Sequence, residues 1–311
     1  MSEYKHNHKR NNHHHHPVNE KNLLAATLLN LVITVVEVAG GILSGSLALL
    51  SDALHNLSDT FATFIAYLAT IIGRREANPK KTFGYKRLEI LAALLNAVIL
   101  IVISVFLLRE AYDRWNDPRP INSLIMLIVA MIGLLANLYA LIILKKDVHK
   151  SINVRAAYVH LIGDSLSSLV VIIGGILMQI FKIYWIDPVI TLLISIYIIR
   201  EGFVILKESV NILMQSTPDQ LDLSKVKQRV EQVSEVQNIH HVHSWMLTDS
   251  EIHLEAHVEL KSDLKLSEVK SIHKEIERLL VHDFSISHVT LQFEYDTGKK
   301  DHSGLLVGHC R

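Results

Sequence analysis

One cysteine, Cys310, occurs in 311 residues, second from the end. That excludes an intramolecular disulfide framework and leaves the redox compartment open. Net charge is also absent, since 31 Lys and Arg balance 31 Asp and Glu. No global electrostatic pull toward nucleic acid follows, and no nucleic-acid partner is expected. The first 21 residues, MSEYKHNHKRNNHHHHPVNEK, contain no apolar run, so they are not read as a cleavable signal peptide. Apolar side chains, by contrast, are plentiful. The chain is 50% hydrophobic with a mean hydropathy of +0.28, too apolar for an ordinary soluble domain of this length.

Six apolar stretches follow the polar start, at about 23–43, 47–72, 88–108, 121–144, 154–181 and 183–206. Each reaches the roughly 20 residues needed to cross a hydrocarbon core about 30 Å thick. Lys and Arg in the loops set the orientation. The first loop has no charge, whereas the second carries Arg74, Arg75, Lys80, Lys81, Lys86 and Arg87, and the fourth, KKDVHKSINVR, is basic again. Loops two and four, and both termini, are therefore expected on the cytoplasmic side of a multi-pass membrane protein.

Beyond about residue 210 the pattern becomes that of a soluble domain. SKVKQRVEQVSEV has helical spacing behind Ser224 as the expected cap. NIHHVHSWML reads as a short strand. EIHLEAHVEL alternates strictly, with Ile252, Leu254, Ala256, Val258 and Leu260 on one face and His253, Glu255, His257 and Glu259 on the other. LSEVKSIHKEIERLL returns to helical period and SHVTLQFEY alternates again. The expected fold class is an α-helical membrane protein of six transmembrane helices followed by a small cytoplasmic α+β domain in the order α-β-β-α-β. The expected segments are a His-rich start (1–21), the membrane domain (22–207), the cytoplasmic domain (208–296) and a polar tail (297–311).

Polar residues inside the apolar runs point to the chemistry. In LLSDALHNLSDTFATFIAYLA, His55 and Asp59 are four residues apart, and His160 and Asp164 in YVHLIGDSLSS repeat the spacing. Four residues on a helix place each pair on one face. At 1.5 Å per residue, His55 and Asp59 lie about 12 and 18 Å from the outer start of their helix, and Asp164 about 15 Å from the inner start of its own. Both pairs are near the midplane, where a charged group costs several kcal/mol and is usually functional. Two imidazoles and two carboxylates suit a tetrahedral divalent ion, above all Zn²⁺. With neutral histidines the loaded set sums to zero charge, and the empty set should take up protons, so metal and protons compete. Asp52 is open between first-turn capping and a role on the exit path. Asn30, Glu37, Asn96 and Asn137 read as packing polars rather than ligands.

With GSLALLSDALHNLSD, FGYKRLEILAALLN, YVHLIGDSLSSL, WIDP, HSWMLT and HVTLQFE in this order, residues 20–295 resemble the cation diffusion facilitator family, in its bacterial zinc/cobalt/cadmium efflux branch. The resemblance implies a homodimer with one transport site per protomer, made by His55, Asp59, His160 and Asp164. It implies proton-driven export of Zn²⁺, with Cd²⁺ and Co²⁺ as further cargo. It also implies a ferredoxin-like cytoplasmic domain that binds more Zn²⁺ through His243, His257 and Glu294, with His240 and His288 as further ligands. The alternative for His257, His288 and Glu294 is the solvent face of a strand, where polar residues need no special role. Histidines 6, 8 and 13–16 resemble the metal-collecting start of many relatives, with cloning residue as the alternative, and Cys310 beside His309 reads as a free thiol or as a member of such a cluster. Two rival functions remain on the sequence alone. A membrane metalloenzyme would keep a coordination position open, which four protein ligands close. A metal sensor would need an output domain, and none follows.

Overall fold

The computed structural model of the protein describes residues 20–73, 77–145 and 152–296. The N-terminal histidines and Cys310 lie outside the described residues. Six long helices come first: α1 (Glu20–Ser44), α2 (Leu47–Gly73), α3 (Leu88–Asn116), α4 (Ser123–Lys145), α5 (Ile152–Phe181) and α6 (Ile186–Leu213). Among the described residues four stretches, Leu88–Asn116, Ser123–Lys145, Tyr158–Phe181 and Ile186–Leu213, are long and apolar enough to cross a membrane. Their outward side chains are apolar too: Val102, Phe106, Leu135, Ile142, Ile180 and Leu193 are exposed. A soluble bundle would present polar groups there. The chain is a multi-pass membrane protein.

Several helices outrun their apolar stretches. α3 continues past 108 to Asn116 because its charged end still pairs at helical spacing, with Arg114 Nε 3.2 Å from Glu110 Oε1. Hydropathy marks the membrane-compatible part of a helix, not its hydrogen-bonded length.

The chain divides into two compact units, Met1–Thr63 with Ile99–Gly202, and Phe64–Val98 with Phe203–Arg311. In the first, α4 packs between α1 and α5. Close approach depends on small residues: a Cβ on Gly175 would run into Leu127, and one on Gly133 into the carboxyl of Glu37. The buried core includes Leu49, Met126, Val171, Met178, Ile190 and Ile198.

The start of α2 is fixed from a distant part of the chain. α1 stops at Gly45, whose φ of +71° favours glycine. Ser46 then caps α2, accepting from Leu49 N at 3.1 Å. The buried Asp187 carboxylate of the WIDP sequence supplies the rest. It accepts from Ser46 Oγ at 2.5 Å, Leu47 N at 2.9 Å and Ala48 N at 3.2 Å. Asp187→Ala strips these buried donors of their acceptor, so a loss of at least about 2 kcal/mol is expected. A lowered thermal midpoint of the purified protein in detergent checks it, and an unchanged midpoint would show the cap to be dispensable.

In the second unit a three-stranded sheet, β1 (Val236–Met246), β2 (Ile252–Leu260) and β3 (His288–Tyr295), carries α7 (Leu223–Val230) and α8 (Leu266–Phe284). β1 pairs antiparallel with β2, and β2 pairs parallel with β3 across the α8 connection. The core is built from Val226, Val230, Ile239, Leu254, Val258, Ile276 and Leu280. This is the expected α-β-β-α-β domain. Two details differ from the sequence reading. The cap of α7 is Asp222, which accepts from Ser224 N and Lys225 N, so Ser224 lies inside the first turn. On β2, His253 is not on a solvent face but buried.

Candidate metal centre

α2 and α5 bring the two H-x-x-x-D pairs into one cluster. Asp59 Oδ2 lies 3.5 Å from His55 Nε2 and 3.3 Å from His160 Nε2, and Asp164 Oδ2 lies 3.4 Å from His160 Nε2. The two imidazole rings meet edge to face at 6.1 Å between centroids. These separations exceed the 2.7–2.9 Å of a good charge-assisted hydrogen bond. They match the edge of a zinc tetrahedron, about 3.3 Å when the bonds are about 2.0–2.1 Å. Asp164 is 1% exposed, and its Oδ2, like His55 Nδ1, is buried without a hydrogen-bond partner. The donor set therefore fits a small divalent cation.

Neighbouring polar groups hold the ligand helices in place. Asp52 is buried and accepts from Ser167 Oγ and, at 3.3 Å, from Ser168 Oγ, so it ties α2 to α5. It is not a first-turn cap, because Ser46 and Asp187 fill that role. Asn56 Nδ2 donates to Glu37 Oε2 at 2.9 Å, tying α2 to α1. Tyr197 on α6 sets its ring 6.1 Å from that of His55. Nothing in the sequence singled out Tyr197 among the apolar residues of its helix.

The sheet builds a second cluster. His257 Nδ1 lies 2.7 Å from Glu294 Oε1, and His240 Nε2 lies 3.5 Å from Glu294 Oε2. One ligand atom from each of the three comes within 4.8 Å of the others, so slight separation of His257 and Glu294 would admit a zinc ion. Register explains the meeting: His240 faces His257 across β1 and β2, and Glu294 lies on β3 two positions past the partner of His257. A register shift between His240 and His243, with His241 at φ 51°, re-aims the strand. It stacks His241 on His257 at 4.7 Å, a neighbour that simple alternation misses.

His243 and His288 lie outside this three-residue cluster. His243 pairs with Glu255 in the ladder and sets its ring 4.9 Å from that of His241. His288 lies opposite His253, 5.0 Å away between ring centroids. Trp245 stacks on His253 at 5.5 Å, and Phe83 approaches its ring edge-on at 5.7 Å. Burial, reinforced by His288, pushes the His253 imidazole below the ordinary histidine range. Nearby, Lys86 donates to both oxygens of Glu251 at 2.6 and 2.7 Å, so the segment between α2 and α3 is anchored on the domain's β1–β2 turn.

Comparison with known proteins covers almost the whole chain. Residues 23–214 match the family described as the cation efflux transmembrane domain, and residues 218–296 match the cation efflux protein cytoplasmic domain. The cadmium, cobalt and zinc/H(+)-K(+) antiporter of Bacillus subtilis is 37% identical over 302 residues, which is 96% of this chain and 95% of the relative. The metal cation efflux system protein CzcD of Cupriavidus metallidurans is 38% identical over 276 residues, 89% and 87% of the two chains. The zinc transporter ZitB of Escherichia coli is 38% identical over 281 residues, 89% and 88%.

Proposed function

The chain belongs to the cation efflux family, and from that premise we propose that it exports Zn²⁺ from the cytoplasm in exchange for protons, with Cd²⁺ and Co²⁺ as further cargo. The protein is a metal cation efflux transporter; the cargo, the coupling and the site are the parts proposed. The observation that carries the reading is the 3.3–3.5 Å spacing of His55, Asp59, His160 and Asp164 across α2 and α5.

Zn²⁺ entering this set meets two carboxylates and two neutral imidazoles, and the charges cancel. An empty set would leave two negative charges in a medium that solvates them poorly, so protons take the place of the metal. Each loading then releases protons and each unloading recovers them. If the cluster opens alternately to the two sides, metal leaves as protons enter. Reconstituted vesicles test the reading directly. Zn²⁺ uptake with opposite proton movement supports it, whereas tight binding without flux would make the protein a sensor.

The dimensions of the remaining parts follow. The membrane domain is taken as 22–207 and the cytoplasmic domain as 208–296, flanked by the segments 1–21 and 297–311. The basic loops orient both ends toward the cytoplasm of an inner membrane. The transporter works as a homodimer, in keeping with the match of its cytoplasmic domain. In that domain His240, His257 and Glu294 are the residues that would hold zinc, and a bound ion would cross-link β1, β2 and β3 and favour the closed pair of domains. His257→Ala should weaken metal-induced closure by more than about tenfold in metal concentration, since even an outer-shell partner is worth that much. Transport should fall only partially. The distance between spin labels on the two cytoplasmic domains, measured as zinc is added, checks it, and closure at the wild-type concentration would return these residues to ordinary strand surface.

A further inference from the structure

Glu37 stands outside the metal set yet is fully buried on α1. Its Oε2 accepts from Asn56 Nδ2 at 2.9 Å. Its Oε1 has no donor, and neither has Asn56 Oδ1, although both atoms are buried. α4 makes room for the carboxyl at Gly133, where any Cβ would collide with Oε1. Asp52 on α2 and Asp164 on α5, both acids, act on Glu37 through their charge. Among the described residues Glu37 forms no ion pair.

An ionised carboxylate in this position would have one hydrogen bond, two acidic neighbours and no access to water, an arrangement that strongly disfavours the charge. One added proton changes the accounting of donors and acceptors. The carboxyl gains an O–H, and the amide it already touches carries the acceptor without a donor. A small rotation closes an acid–amide pair with two hydrogen bonds. As a carboxylic acid Glu37 is satisfied, and as a carboxylate it is not.

We propose that Glu37 is a proton-carrying group of the transport cycle, separate from the metal ligands. It rests as the acid. When water reaches it, the O–H bond breaks, the proton passes to water as hydronium, and the carboxylate remains; the reverse transfer on the other side of the membrane restores the acid. Asn56 follows His55 on α2, so making or breaking the acid–amide pair acts on the helix that carries half of the metal set. This inference rests on the proton-coupled reading above.

Glu37→Gln tests it, because glutamine is neutral, has the same shape and keeps both hydrogen bonds to Asn56. The experiment uses the full-length protein, with Zn²⁺ binding measured in detergent and Zn²⁺ and proton fluxes measured in vesicles. The variant should bind Zn²⁺ like the wild type and still move it down a zinc gradient, with fewer protons exchanged per zinc. Under a gradient of one pH unit its steady-state zinc accumulation should fall by roughly tenfold, the contribution of one coupled proton. A Glu37→Gln protein with wild-type proton-to-zinc ratio and accumulation would reduce Glu37 to a packing residue and overturn the inference alone. Wild-type protein that moves zinc without protons would overturn this inference and the antiport reading together.

Discussion

Asp164→Asn should abolish metal transport while the protein still inserts and dimerises. Asparagine keeps the shape of the side chain but removes one of two negative charges from the cluster. Loaded with Zn²⁺, the site would then carry a net positive charge at a residue that is 1% exposed. An uncompensated charge near mid-bilayer costs about 2.5–3.5 kcal/mol on the gentlest scale, a loss of roughly a hundredfold or more in occupancy. The variant also loses the carboxylate that lies 3.4 Å from His160, and with it a place to park a returning proton. Initial rates of Zn²⁺ uptake into vesicles, normalised to protein, measure the effect. Near wild-type flux would remove Asp164 from the site and the proposed cluster with it.

His55→Asp is expected to change which metal is preferred rather than to stop transport. Two nitrogens and two oxygens at tetrahedral-edge spacing suit compact Zn²⁺. A third carboxylate can bind through both oxygens, which eases the higher coordination a larger ion takes. The substitution also makes the loaded site one unit more negative, to be offset by a retained proton. The Cd²⁺ to Zn²⁺ rate ratio should therefore rise severalfold and the optimum pH should shift. Initial rates for both metals across pH in the same vesicles decide it. A constant ratio would mean that helix packing, not the ligand at 55, sets selectivity.

The parts of this molecule that follow from local periodicity could be read from the sequence. Helical spacing placed His55 with Asp59 and His160 with Asp164, and their matching depth and spacing marked the two pairs as complementary halves of one ligand set. Strand alternation located β2 and β3, with His257 and Glu294 on reachable positions. Features that depend on partners far along the chain were not legible. Asp187 reads as an acid before a proline, and only the fold shows it 140 residues from the backbone N–H it accepts from. Glu37 reads as a packing polar until Asn56 and Gly133 are seen beside it. The shift in β1 has no local mark in NIHHVHSWM. It separates His240, which joins Glu294, from His243, which does not. The position of His288 opposite His253 is not legible either: alternation gives the face of a residue but not which neighbours share it.

The fastening of α2 by Asp187 has a mechanical corollary. Once the Asp52 tie to α5 and the Asn56 tie to α1 open, α2 stays held at its start and acts as a lever, so displacement along it grows with distance from the fulcrum. His55 lies about 12 Å from Leu47 and Asp59 about 18 Å. Any tilt of α2 about its fixed end therefore moves Asp59 half as far again as His55. Of the contacts between the two helices, such a tilt would lengthen the one between Asp59 and His160 more than that between His55 and His160. A cluster hung from such a lever comes apart asymmetrically, with the carboxylate leading and the imidazole following.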